Sequence, residues 1–212
     1  MKPVWDLPLE AHGIDVELHG GQLVRIRPGR PTDREALLAA FERFSDESRY
    51  LRFFGGMARL PEGVVDSLTD VDHHERIVWA VFDPAQPSQV GDDSGLAVAT
   101  ARLFVDPLDR SSAEATMAVV DDYQRRGLGH FLLELLVSTA DIFGIETLRF
   151  EVLSENRGMR RLLGRSGATG TRLPDDPSVI EYRLDLRELA DIDPTAGALY
   201  EVLRMLADTT RQ

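Results

Sequence analysis

The chain has no cysteine in its 212 residues. That excludes a disulfide framework, a zinc–thiolate site and an acyl-cysteine intermediate, so any acyl transfer must use another nucleophile or pass directly to its acceptor. Long apolar runs are missing too; none approaches the roughly 20 residues that cross a bilayer. The opening MKPVWDLPLEAHG lacks the basic end and apolar core of a secretory signal. A cytoplasmic location and no membrane partner are the resulting expectations. Basic residues are scarce, with Lys plus Arg at 24 against 36 Asp plus Glu and a formal net charge of -12. Such a surface repels nucleic acid and attracts cations. Adjacent His73 and His74 point apart on either a helix or a strand, so no metal site is expected from them.

What is present describes a globular α/β chain. Hydrophobic residues at 43% and charged residues at 28% are ordinary for one. Residues 1–22 read as an N-terminal arm or a short edge strand. Leu23 to Arg27 reads as a strand, and Thr32 with Glu35 makes a capping-box pattern ahead of Leu37, Ala40, Phe41 and Phe44 at helical spacing. Two short helices follow, Ser45 to Gly56 and one from Pro61. Strands are expected at Arg76–Phe82, Leu96–Val105, Ala113–Val120, Thr147–Leu153 and Val179–Leu186. Helices are expected from Gly127 to Gly144, with Leu128, Leu132, Leu135, Ala140 and Phe143 inward, and from Glu155 to Arg165. Trp79 and Phe82 read as core. Asp193-Pro194 opens a last helix carrying Leu199, Val202, Leu203 and Leu206. The expected division is an arm over 1–22, a mixed α/β domain over 23–190 and a helical extension over 191–212.

One segment carries chemistry. In Val119-Val120-Asp121-Asp122-Tyr123-Gln124-Arg125-Arg126-Gly127-Leu128-Gly129-His130 a strand ends, a loop turns, and a long helix starts at paired glycines. The first amides of a helix have no internal partner, and the helix dipole adds partial positive charge there. Together they suit phosphate oxygens, and a side chain at Gly127 or Gly129 would hold an anion away. Arg125 and Arg126 add formal charge where the rest of the chain is acidic. A Walker loop is excluded because no G-K-[ST] follows, and a dinucleotide fingerprint because Leu132 stands where its third glycine belongs.

The stretch Gln124-Arg125-Arg126-Gly127-Leu128-Gly129 resembles the [QR]-x-x-G-x-[GA] signature of the GCN5-related N-acetyltransferase (GNAT) superfamily, and the opening IRPGRPTDREAL is similar to how many such domains begin. The resemblance covers Leu23 to about Leu186. It implies a mixed, mostly antiparallel central sheet with a splayed strand pair and helices on both faces. It also implies acetyl-CoA, or a related acyl-CoA, as co-substrate. By the same match, backbone groups of Ala118, Val119 and Val120 would meet the pantetheine amides, and Gln124, Arg125, Arg126, Gly127, Leu128, Gly129 and His130 would hold the pyrophosphate. Asn156, within Ser154-Glu155-Asn156-Arg157-Gly158-Met159, would contact the pantetheine or order water.

Glu114 is the candidate general base. It lies on the strand that enters the phosphate loop, near the thioester end of the donor. A lysine-like amine of pKa about 10.4 is neutral only roughly one part in 2,500 at pH 7, which costs roughly 4.6 kcal/mol. A carboxylate near the thioester can take that proton, directly or through water. Ser45-Asp46-Glu47-Ser48-Arg49-Tyr50-Leu51-Arg52-Phe53-Phe54-Gly55, with Ala113-Glu114-Ala115, resembles the bacterial protein lysine acetyltransferases, in which a glutamate at the place of Glu114 serves as base and acyl-CoA synthetases are typical targets. That resemblance puts Tyr50, Arg52 and Phe53 along an acceptor groove. Many relatives carry a tyrosine as general acid where Leu163 stands here, which leaves Ser154, water or unassisted thiolate departure. The leading expectation is therefore acetyl transfer to a protein lysine. Acetylation of a small amine and a non-catalytic acyl-CoA sensor are the alternatives. Asp70, Asp72, Asp106 and Asp109 would suit a basic protein partner, and the last apolar row would suit a homodimer.

Overall fold

The computed structural model describes residues 13–188, with His19, Gln89, Asp92 and Asp93 excepted. The expected helix of residues 193–206 lies outside them. One eight-stranded sheet organises the chain, made of β1 (Ile14–Glu17), β2 (Leu23–Pro28), β3 (Arg76–Asp83), β4 (Leu96–Val105), β5 (Ser112–Val119), β6 (Thr147–Leu153), β7 (Thr169–Arg172) and β8 (Val179–Asp185). Their spatial order is β1-β2-β3-β4-β5-β6-β8-β7. Every neighbouring pair is antiparallel except β5 and β6, which run parallel.

That parallel pair parts early. Only Ser112–Glu114 of β5 find register partners on β6, Thr147, Leu148 and Arg149. Beyond Glu114 the two strands diverge, while β5 stays paired with β4 as far as Val119. An unpaired run of strand backbone inside a sheet must find other partners or line a cavity. This is the splayed pair that the family resemblance implied.

Helices α1 (Arg34–Glu42), α2 (Asp46–Phe53) and α3 (Glu62–Thr69) bury a small apolar cluster of Phe41, Leu60 and Val65 with Leu37, Phe44 and Phe53. The main core lies across the sheet. There α4 (Leu128–Phe143) buries Leu128, Leu132, Leu135, Leu136 and Ala140 against Ala101, Leu103, Ala113, Ala115, Leu148 and Phe150. Leu163 of α5 (Arg157–Arg165) joins that cluster. Trp79 and Phe82 are core residues, as expected, and the Trp79 indole donates to Thr139 Oγ1 at 2.9 Å.

One local expectation fails. No cap forms between Thr32 and Glu35, because Pro31–Asp33 is a 3-10 turn and α1 starts only at Arg34. The Asp33 carboxylate serves that turn instead, accepting the Arg30 amide at 2.8 Å and both ends of the Arg27 guanidinium.

Candidate active site

Where β5 and β6 diverge, a cleft of about 450 Å³ passes through the sheet. Side chains alternate along each strand, so both sheet faces contribute to its wall. Glu114, Thr116, Ala118 and Glu151 come from the face covered by α1–α3, and Ala115, Met117, Phe150 and Val152 from the α4 face. Gln124, Arg125, Gly127, Gly129 and His130 close one end, and Asn156, Gly158, Met159 and Leu162 form a further wall. The candidate base and much of the candidate diphosphate loop therefore share one cleft.

The loop has a backbone reason for its glycine. Gly127 caps α4 with φ 91°, and Arg125 has φ 59°. Two left-handed residues around Arg126 curl the chain ahead of the helix start, where the first amides of α4 lack intrahelical acceptors. Gly129 has no such constraint, since a Cβ there would meet only Leu162 Cδ2 at 3.7 Å. These residues fit an extended thioester bearing a diphosphate.

Several predicted site side chains are occupied within the protein. The Gln124 amide donates to Ser48 Oγ and to the Val119 carbonyl, each at 3.1 Å, bracing the loop against β5 and α2. The Arg126 guanidinium stacks on Tyr123, 5.0 Å from the ring centroid. His130 is a surface residue of α4 beside Glu134, at 3.2 Å. The Asn156 side-chain oxygen accepts the Met159 amide at 3.0 Å and so caps α5. The Val120 amide is spent on Val98 O of β4 at 2.9 Å. Because N–H and C=O directions alternate along a strand, the backbone groups of Ala118 and Val120 turn toward β4, and those of Met117 and Val119 face the gap. Leu163 is fully buried in the main core, so that position holds no acid and opens on no cleft.

The S-x-x-S pattern acquires a physical role. Asp121 accepts Ser45 Oγ at 2.6 Å, the Ser45 amide at 3.0 Å and Ser48 Oγ at 3.0 Å, while Ser45 also caps α2 through the Ser48 amide. Burial pushes the Asp121 carboxyl up, but these hydrogen bonds outweigh it and hold the group below its usual range. Two residues on, Tyr123 anchors the loop in the core and donates to Asp83 Oδ2 at 2.7 Å. Burial, then that bond and the Asp83 charge, push the phenol up to about 12. A raised acid pKa means the folded state holds its proton longer, so stability is expected to fall as pH climbs from about 10 to about 12. Ultraviolet titration should show a tyrosine component ionising at about pH 12, and Tyr123→Phe should remove that component.

Glu151 was not singled out from sequence. It follows Arg149 by two residues on β6 and so faces the cleft on the same side as Glu114, the register partner of Arg149. Burial, then the charges of Glu114 and Glu181, push its carboxyl up against the pull of Arg149. The alternation of Thr147–Leu153 carried this signal, but only adjacency to β5 gives it meaning. Among the acidic residues expected to meet a basic partner, Asp70 and Asp72 pair with Arg76 and Asp106 pairs with Arg149 at 2.7 Å. Much of that charge is thus spent internally.

The acetyltransferase (GNAT) domain family matches residues 24–169, and the chain belongs to it. Acetyltransferase Pat of Mycolicibacterium smegmatis is 30% identical over 199 residues, 94% of this chain but 55% of that protein. The chain thus spans about half the length of that relative. The GNAT domain of S. lividans PAT superimposes with a TM-score of 0.69 at 30% identity, covering 81% of this chain and 96% of that one. At 17% identity, yncA from Salmonella typhimurium, whose structure holds its cofactor acetyl-CoA, shares the fold with a TM-score of 0.57 over 79% and 96% of the two chains.

Proposed function

We propose that the protein is an N-acetyltransferase that moves the acetyl group of acetyl-CoA to an amine, preferentially a lysine side chain of a protein. Membership of the GNAT family and the likeness to Pat support the donor and the reaction class. The observation that carries the reading is the cleft through the sheet, with a carboxylate where the strands part and a left-handed glycine turn at its far end. Glu114 takes a proton from the ammonium form of the acceptor. The free amine attacks the thioester carbonyl; the C–N bond forms, the C–S bond breaks, the new amide nitrogen gives up its extra proton to solvent as the thiolate takes one, and Glu114 returns its proton to solvent. The gap-facing amides of Met117 and Val119 are the donors available to the developing oxyanion. Gln124–His130 hold the diphosphate through backbone amides, with Arg125 adding charge. A lysine acceptor, and an acyl-CoA synthetase as one such target, draw support from the S-x-x-S-x-x-x-R-F stretch and from the exposure of Glu114.

The test is thiol release from acetyl-CoA with a panel of amines and lysine peptides, with acetylated products located by mass spectrometry. Acetyl groups on lysine Nε are the expected result. Tight CoA binding with no thiol release from any acceptor would instead identify an acyl-CoA sensor.

A further inference from the structure

Two arginines beside the cleft, buried Arg102 and partly exposed Arg52, have no carboxylate in ion-pair contact among the described residues, although the Glu114 charge acts on Arg52. Arg102 of β4 is only 4% exposed. It donates to the Leu68 carbonyl at 2.6 Å, and its buried Nε has no acceptor. Arg102 is the register partner of Thr116 on β5, so the two share a sheet face. Arg52 reaches down from α2 and donates to that same Thr116, at 3.1 Å to Oγ1. Among the described residues, no carboxylate forms an ion pair with either guanidinium. Arg27, the other deeply buried arginine, is bound at both ends by Asp33 at 2.8 and 2.7 Å. With 36 acidic residues in the chain, a missing carboxylate is not a matter of supply. The strain is electrostatic: burial and then the neighbouring Arg52 bring Arg102 down to about 10, with Asp33 opposing. Both remain cationic at neutral pH.

Their position is informative. Arg52 lines the cleft and also an adjoining hollow of about 80 Å³ under α1–α3, whose wall includes Phe41, Val78 and Phe82 as well as Arg102. Thr116 is two residues along β5 from Glu114, roughly 7 Å. A molecule presenting its amine to Glu114 could therefore present an anion to the arginines.

We propose that Arg52 and Arg102 form a carboxylate-binding subsite at the acceptor end of the cleft, so that the preferred amine belongs to a molecule with a carboxylate a few bonds away. The role assigned to this carboxylate rests on the N-acetyltransferase reading. It comes either from a small amino acid or from an acidic side chain next to a target lysine, and the test separates the two.

Two matched pairs of acceptors are compared by kcat/KM: 4-aminobutanoate against 4-aminobutanamide, and a lysine peptide with adjacent Glu against the same peptide with Gln. The carboxylate member of at least one pair should be preferred at least about tenfold, in keeping with a charge-assisted bond. Which pair shows the preference identifies the source. In Arg52→Gln the preference should shrink to about twofold or less, and Arg52→Lys should retain part of it. Equal kcat/KM within both pairs overturns the proposal. Arg102→Met is the second variant; if it fails to fold, Arg52, which is only partly buried, still carries the test. Should no amine be acetylated at all, the N-acetyltransferase reading fails, but the subsite stays measurable. Malonate titrated calorimetrically into the CoA-loaded protein should bind saturably to wild type and not to Arg52→Gln. Absence of malonate binding to wild type overturns the subsite.

Discussion

Glu114→Gln is expected to lower kcat by at least about tenfold, toward the 10²–10⁴ range of general-base catalysis, with acetyl-CoA affinity held within about twofold. The amide keeps the shape of the side chain and removes its basicity. Glu114 is also the last β5 residue paired to β6, and the cofactor-facing run lies beyond it. Residual activity has a definite source. Glu151 lines the same cleft, and its carboxyl is already pushed up by burial and by Glu114. The double variant with Glu151→Gln should therefore lose more than Glu114→Gln alone, and the pH–rate profile of Glu114→Gln should differ from that of wild type. An unchanged rate and profile would remove Glu114 from the mechanism.

Gly127→Val is expected to weaken CoA binding at least about tenfold, because a β-branched residue is strained by about 1–3 kcal/mol in the left-handed region. At φ 91° the Gly127 backbone turns the chain into α4. Valine would either carry that strain or rotate out of it, and rotation would turn the first amides of the helix away from the cleft. Gly129→Ala is the contrast, since a Cβ there makes only an ordinary contact with Leu162 at 3.7 Å. It should lose less affinity. Calorimetric affinities for CoA, with thermal melts to confirm folding, separate the two cases. Wild-type affinity in Gly127→Val would show that the loop conformation is not what holds the diphosphate.

The long elements were legible because their apolar periodicity is strong. Leu96–Val105 and Thr147–Leu153 stand where alternation put them, and α4 buries the side its leucines marked. The edge strand β1 was read only as an arm or a short edge strand, and β7 was not read at all, for a physical reason. Thr169–Arg172 is exposed throughout, and Ile14–Glu17 is only half-buried on alternate residues, so neither buries enough to leave a pattern. In the cleft, the glycine turn announced itself because few other contexts combine a strand end, paired glycines and adjacent arginines. What stayed hidden depends on pairing across the chain. Glu151 matters only once β6 lies beside β5, and Arg52 and Arg102 are unusual only once both are seen to lack a carboxylate. The capping role of Asn156 and the brace from Gln124 to Ser48 were likewise out of reach, because each depends on a local turn geometry rather than on composition.

The central claim is that backbone amides at the turn into α4 grip the diphosphate of a coenzyme A thioester. Calorimetric titration of wild-type protein with CoA, beside pantetheine and 3′,5′-ADP, which lack respectively the diphosphate with its nucleotide and the pantetheine arm, tests it most directly. The account requires saturable heat with CoA and affinity for pantetheine at least about tenfold weaker, as expected for the loss of charge-assisted hydrogen bonds. No heat with CoA at millimolar concentration, or equal affinities for CoA and pantetheine, would contradict it.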